Sequence, residues 1–227
     1  MPELSVVLPC YLEEENLRVL LPRLEAALAG IDAEVLVVDT VEPRDGTPAV
    51  AAEHDVRYVN RTGGDAFGNA VRTGIREARG DRVLFMDADG SHDPEFAREM
   101  WAARDRGDVI VASRYVEGGS LENPWHLRAM SRALNVTYGL VLGLECRDIS
   151  NSFKLYRGDW LRELDLRSDN FDVIEEILFL LGRRHRDLRI VELPFTFRKR
   201  LHGETKRSLA RFVATDLVTL ARLRMRG

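Results

Sequence analysis

Cysteine is scarce in this chain. Cys10 and Cys146 are the only two among 227 residues. They lack the spacing of a metal site and cannot build a disulfide framework, so a reducing compartment is expected. No apolar run approaches the roughly 18 residues of a membrane-spanning helix. The opening MPELSVVLP has no basic n-region, and its apolar stretch is too short for a secretory leader. These absences predict a soluble or peripheral protein on the cytoplasmic side. Low-complexity tracts and internal repeats are also missing. With 45% hydrophobic residues the chain is not disordered, and its length suits one α/β domain with a real core. No G-x-G-x-x-G follows the first apolar run, which disfavours a nicotinamide-binding protein.

The net charge of −4 argues against general nucleic-acid binding, but the charge is uneven. From Arg198 onward, nine Lys or Arg face Glu204 and Asp216, a net of +7 that leaves −11 elsewhere. A basic tail on an acidic body suits an anionic partner, either phosphates or a membrane surface.

Short β-rich runs alternate with amphipathic stretches. Leu4–Leu8, Glu34–Asp39, Val56–Asn60, Arg82–Asp87 and Val109–Ser113 read as buried strands. Leu17, Leu20, Leu21, Leu24 and Leu28 share one helical face, with Pro22 marking a kink. Phe67–Ala78 and Pro94–Arg106 are further helices, the second with Asp93 as its N-cap. This alternation implies a mainly parallel sheet covered on both faces. After Ser113 the rhythm changes to a helix over Pro124–Leu142, a strand at Ser152–Tyr156 and a helix around Phe171–Leu181. A strand over Leu188–Arg198 follows, its Pro194 hinting at an edge or bulge, then an amphipathic helix over Arg207–Met225. No linker interrupts the chain. One domain spanning 1–227 is expected, with a nucleotide-type half (1–115) and an acceptor half (116–227).

Ligands of open parallel sheets bind at the strands' carboxyl ends, which points to Pro9, Asp39, Asp87 and Arg114. The sharpest feature is VLFMDADGSHDP. An apolar strand runs into Asp87 and Asp89, whose two-residue spacing puts both carboxylates on one side of an extended backbone. Hard oxygen ligands of this kind suit Mg²⁺ or Mn²⁺ bridging to a substrate's phosphates. An acidic turn capping the next helix is the plainer alternative.

Several motifs follow one another in order: SVVLPCYLEEENL, VLVVDTVEPRDGT, FGNAVRTGIREARGD, MDADGSHDP, ASRYVEGG, SRALN, DISNSFKLYR and VELPFTFRKRLHGETK. Together they resemble a family 2 glycosyltransferase with a GT-A fold, in particular the dolichol- and polyprenol-phosphate mannose synthases. The resemblance implies an inverting, metal-dependent transfer of a sugar, mannose by preference, from a nucleotide diphosphate sugar such as GDP-mannose to a polyprenyl phosphate. It implies that Pro9, Tyr11, Glu13, Asp39, Gly68, Asp87, Ala88 and Asp89 form the nucleotide-sugar pocket, with Asp87, Asp89 and Ser91 on the metal. Arg114, Arg128 and Ser131 would meet the acceptor's phosphate, and Arg200 and Lys206, in a basic loop with His202 and Thr205, would fold over the diphosphate. Asp148 is the implied base if the acceptor is instead an alcohol; read alone, it is equally a turn aspartate. The pattern departs at Cys10, Leu12, Thr40 and Ser150-Asn151-Ser152, where such relatives carry Thr, Asn, Asp and a Thr/Ser-Gly pair. Two other readings stand beside the lipid-phosphate one: a transferase acting on a soluble alcohol, and a nucleotide-sugar-binding protein without turnover.

Overall fold

In the computed structural model, which describes residues 1–122 and 124–198, the strand order gathers the chemistry at one edge of a mixed sheet. Its strands are β1 (Leu4–Pro9), β2 (Ala33–Asp39), β3 (Arg57–Asn60), β4 (Arg82–Phe85), β5 (Val109–Ser113), β7 (Lys154–Arg157) and β8 (Ile190–Pro194). They lie in the order β3-β2-β1-β4-β7-β5-β8, while β6 (Ser120–Leu121) and β9 (Thr196–Phe197) form a separate parallel ribbon. All pairings in the large sheet are parallel except those of β7, which runs antiparallel to β4 and β5. The reversal places the residues leading into Lys154 at the same edge as the carboxyl ends of the other strands.

Period-two alternation fills both faces. Val6 and Leu8 point into one core and Val7 into the other; Val37 and its neighbours Leu36 and Val38 divide likewise. One face is covered by α1 (Glu14–Leu28), α2 (Thr47–Glu53) and α4 (Phe96–Ala102). The other is covered by α3 (Phe67–Glu77), α6 (Gly158–Arg162) and α7 (Val173–Arg184). The predicted leucine stripe of α1 is the buried one. Each fully buried leucine contributes about 1.5–3 kcal/mol. Pro22 lies inside α1 on its exposed side, where the carbonyl it leaves unbonded can be hydrated, and the helix continues to Leu28. Helix α5 (Trp125–Leu142) buries little beyond Asn135 and Tyr138 and ends at Gly143, whose φ of 67° makes a left-handed cap.

Four expectations need correction. β4 stops at Phe85 rather than Asp87, because the Asp87 amide turns away to donate to His92 Nδ1 at 2.9 Å. Asp93 does not cap α4 with its side chain. Its carboxylate pairs with Arg23 and Arg198, each at 2.7 Å. The flanks of α4 are turns with three-residue hydrogen bonds, such as Phe96 N to Asp93 O and Arg106 N to Ala103 O, so the helix itself is shorter than predicted. The strand expected over Leu188–Arg198 divides at buried Phe195. Its amide donates to Ser113 O and its carbonyl accepts from Ser120 N, passing the chain from the large sheet to the small ribbon. Pro194 ends β8, the edge strand, as predicted. The predicted helix Arg207–Met225 lies outside the described residues.

Candidate active site

The Asp87 turn is built where β4 leaves the sheet. Met86 N still donates to Val7 O, and then the chain bends through Gly90 at φ 80°. Asp87 retains 26% side-chain exposure, whereas Ala88, Asp89 and Ser91 are buried. Asp89 Oδ1 accepts from Ser91 N at 2.9 Å, an Asx turn that fixes its carboxylate. Asp87 Oδ1 accepts from Ser152 Oγ at 2.9 Å. Ser91 Oγ is buried and has no hydrogen-bond partner among the described residues, although its carbonyl accepts from Arg198 N. His92 is fully buried and stacks on Phe153 with ring centroids 4.7 Å apart. Burial pushes its pKa down, against the pull of Asp87 and Asp89. No group of three or more His, Cys, Asp or Glu that could hold a metal occurs among the described residues. The protein offers two hard carboxylates and an orphaned hydroxyl, a donor set that a substrate diphosphate and water would complete around Mg²⁺ or Mn²⁺.

Beside it, the ends of β1, β2 and β3 enclose a second group of polar residues. Asp39 is buried and accepts from Tyr58 OH at 3.0 Å; burial and this carboxylate together push the Tyr58 phenol's pKa up. Glu13, at the entry to α1, is buried and accepts from Asn16 Nδ2 at 2.6 Å. Tyr11 is partly exposed, and Arg44 donates to its hydroxyl at 3.1 Å while lying over its ring. Arg61, which the sequence did not single out, is 4% exposed. Its guanidinium donates to Asp39 O at 2.9 Å, Asp65 O at 2.9 Å and Cys10 O, tying three chain segments behind Asp39. Gly68 does make a close backbone approach, but to its own chain rather than toward the site. A Cβ there would collide with the Ser168 carbonyl, and Gly68 N donates to Asp169 O at 2.7 Å.

Arg114 follows β5, as expected, yet its guanidinium is taken by Asp148. Arg114 Nη2 lies 2.6 Å from Asp148 Oδ1, and its Nε and backbone N each donate to Oδ2 at 2.8 Å. The side chains are 10% and 0% exposed. Burial works against the arginine's charge, but Asp148 outweighs it and the pKa rises. Ser150 Oγ also accepts from Arg114 Nη2, at 3.0 Å. Ser131 joins this side of the site through Tyr115, whose hydroxyl donates to Ser131 Oγ at 2.7 Å. Arg128, one turn earlier on α5, is exposed. Lys154 is fully buried and donates to the carbonyls of Ile149 (2.9 Å) and Asn151, bracing the loop that carries Asp148. Burial pushes its pKa down. Arg200, His202, Thr205 and Lys206 lie outside the described residues.

Of the residues expected to act together, Pro9, Asp39, Asp87 and Arg114 do stand at or just beyond strand ends on one edge of the sheet. The mainly parallel sheet with helices on both faces is that of a GT-A glycosyltransferase. Residues 5–165 match glycosyl transferase family 2, and the chain belongs to that family. Among its relatives, it is 36% identical over 214 residues to the undecaprenyl-phosphate mannosyltransferase of Micrococcus luteus, covering 89% of this chain and 86% of that one. It is 34% identical over 215 residues to the polyprenol monophosphomannose synthase of Mycolicibacterium smegmatis, covering 89% and 80%. It is 32% identical over 212 residues to the dolichol-phosphate mannosyltransferase of Pyrococcus furiosus, covering 90% of this chain but 59% of that longer protein. Glucosyl-3-phosphoglycerate synthase of Mycobacterium tuberculosis, crystallised with Mn²⁺, UDP and glucosyl-3-phosphoglycerate, shares the fold. Its TM-score is 0.74 at 18% identity, covering 98% of this chain and 80% of that one.

Proposed function

We propose that this chain transfers a sugar, mannose in the first instance, from a nucleoside diphosphate donor such as GDP-mannose to a polyprenyl phosphate. The observation that carries the choice of acceptor is the engagement of Asp148. It is fully buried, and its two oxygens accept three hydrogen bonds from Arg114. A carboxylate so committed is poorly placed to take a proton from an alcohol. A lipid monophosphate is already an anion near neutral pH and needs no base. The names of the three relatives support the same acceptor class and the same sugar.

Asp87 and Asp89 would hold Mg²⁺ or Mn²⁺, with the orphaned Ser91 hydroxyl beside them. The cation, when bound, would offset the charge that grows on the departing diphosphate. Pro9, Tyr11, Glu13, Asp39 and Ala88 would line the nucleotide sugar, and Arg200 and Lys206 would neutralise phosphate charge. Arg114, oriented by Asp148, would present its remaining edge to the acceptor's phosphate, with Ser131 and Arg128 beside it. In-line attack from that side inverts the anomeric carbon. A polyprenyl acceptor places the protein at a membrane surface; no helix among the described residues is long and apolar enough to cross one.

The test is a panel of GDP-, UDP- and dTDP-sugars with a short prenyl phosphate and the corresponding prenol, each with and without Mn²⁺. Transfer from GDP-mannose to the prenyl phosphate alone, abolished by EDTA, is the expected result. Equal use of the prenol would sink the phosphate-acceptor reading, and metal-independent transfer would sink the metal site.

A further inference from the structure

The Asp87 turn is held from outside itself. Asp87 N donates to His92 Nδ1 at 2.9 Å, so that ring nitrogen is the acceptor and the ring proton sits on Nε2. Nε2 then donates to Asn151 Oδ1 at 3.1 Å. The amide's orientation is fixed in turn, because Asn151 Nδ2 donates to Ala112 O at 2.6 Å. The neighbouring Ser152 reaches the same aspartate at its other end, donating from Oγ to Asp87 Oδ1 at 2.9 Å. An aromatic cage immobilises the imidazole: Phe153 stacks on it, and Phe195 and Phe197 meet it edge-on at 6.0 and 5.6 Å.

The loop that supplies Asn151 and Ser152 also supplies Asp148 and Ser150, the partners of Arg114. Asn135 on α5 locks the middle of it, donating to Ser150 Oγ at 3.0 Å and accepting from Ser150 N at 2.9 Å. One short loop thus sets both the first carboxylate of the acidic pair and the arginine facing it. A buried histidine that merely satisfied the core would require no hydroxyl aimed at the Asp87 carboxylate.

We propose that His92, Asn151 and Ser152 are positioning residues for the transfer site, a relay that fixes Asp87 at its amide and its carboxylate together. The proposal rests on the metal reading given under Proposed function. Ser152 takes Asp87 Oδ1, while Asp87 Oδ2 lies 3.9 Å from His92 Nε2, so the same ring that holds the amide also stands against the carboxylate. The relay ties the placement of Asp87 and of Arg114 to one loop, residues 148–152.

Direct Mn²⁺ binding, read from the electron paramagnetic resonance of the free ion in the presence of GDP or UDP, tests this without requiring turnover. Ser152→Ala, which removes the hydrogen bond to Asp87 Oδ1, is expected to weaken Mn²⁺ affinity about 10–100-fold, the usual effect of losing a hydrogen bond to a ligating side chain. Ser152→Thr keeps the hydroxyl and is expected to restore most of the lost affinity. Asn151→Ala is expected to weaken binding at least as much, with circular dichroism checking that it folds. In steady-state assays Ser152→Ala should lower kcat while the KM for a prenyl phosphate stays unchanged. Wild-type Mn²⁺ affinity in a folded Ser152→Ala protein would overturn the relay and leave the metal site standing. Absence of Mn²⁺ binding in the wild type would overturn both.

Discussion

Arg114 and Asp148, separated by 34 residues, close on one another through three hydrogen bonds of 2.6–2.8 Å, with Asp148 wholly out of solvent. Removing one member of such a pair strands the other's charge in a medium that solvates it badly. Arg114→Met or Asp148→Leu is expected to cost about 3–5 kcal/mol of folding stability in urea titrations. The double variant should cost clearly less than the two single losses added together. Losses under 1 kcal/mol for both single variants would mean that the pair is not holding the loop.

This pair also marks the limit of what the sequence reveals. Periodicity located β1, β2, β5 and the buried stripe of α1, because those residues answer to the sheet and helix periods alone. Asp87 and Asp89 drew notice because an apolar run leads into them, although the strand itself ends at Phe85. The partner of Arg114 was not, since local spacing carries nothing about a contact 34 residues away. Asp148 was equally readable as base or turn, and only its burial and its three donors from Arg114 tell against the first. Arg61 gave no signal at all. An arginine in a glycine-containing loop, NRTGGD, reads as a solvated cation until the ends of β1 and β2 close over it.

Arg61 gives a second test. Its five N–H donors in a planar fork reach carbonyls from three chain segments, Cys10, Asp39 and Asp65. A lysine cannot span them. Arg61→Met leaves the Asp39 carbonyl with the backbone N–H of residue 61 but strips the Cys10 carbonyl of its donor, and is expected to cost on the order of 3 kcal/mol. Arg61→Lys should recover only part of it, and in both variants nucleotide affinity should fall because Asp39 and Cys10 lose their backing. Calorimetric melting and nucleotide titration read the two effects; an unshifted melting temperature in Arg61→Met would refute the pin.

Leu12 stands at φ 60°, in the left-handed region that β-carbon crowding penalises by about 1–2 kcal/mol for most side chains. It is 44% exposed, so its side chain gains little from packing in return. Asparagine tolerates this conformation better than leucine does. Leu12→Asn is expected to stabilise the protein by up to about 1 kcal/mol, a rise of roughly 2–4 °C in Tm for a chain of this size. A lower melting temperature would show that Leu12 makes contacts outweighing its backbone strain.

The two thiols give a pH dependence whose sign follows from burial. Desolvation pushes the Cys146 pKa up to about 12, with Glu192 adding to it, and raises that of Cys10 as well. In the unfolded chain a thiol ionises near pH 8.5. Between those values the unfolded state releases a proton that the native state keeps, so stability falls as pH rises. The loss sets in around pH 8.5, where the unfolded thiol ionises, and approaches about 1.4 kcal/mol per pH unit for each thiol above roughly pH 9.5. Well below pH 8 the thiols contribute almost no pH dependence. Urea midpoints taken from pH 8 to 10.5 should therefore decline less steeply in Cys146→Ala than in the wild type. Iodoacetamide at pH 8.5 should label both cysteines in urea and neither in the native protein. Matching slopes in the two proteins, or rapid native labelling, would show that Cys146 is reached by water in a way its burial forbids.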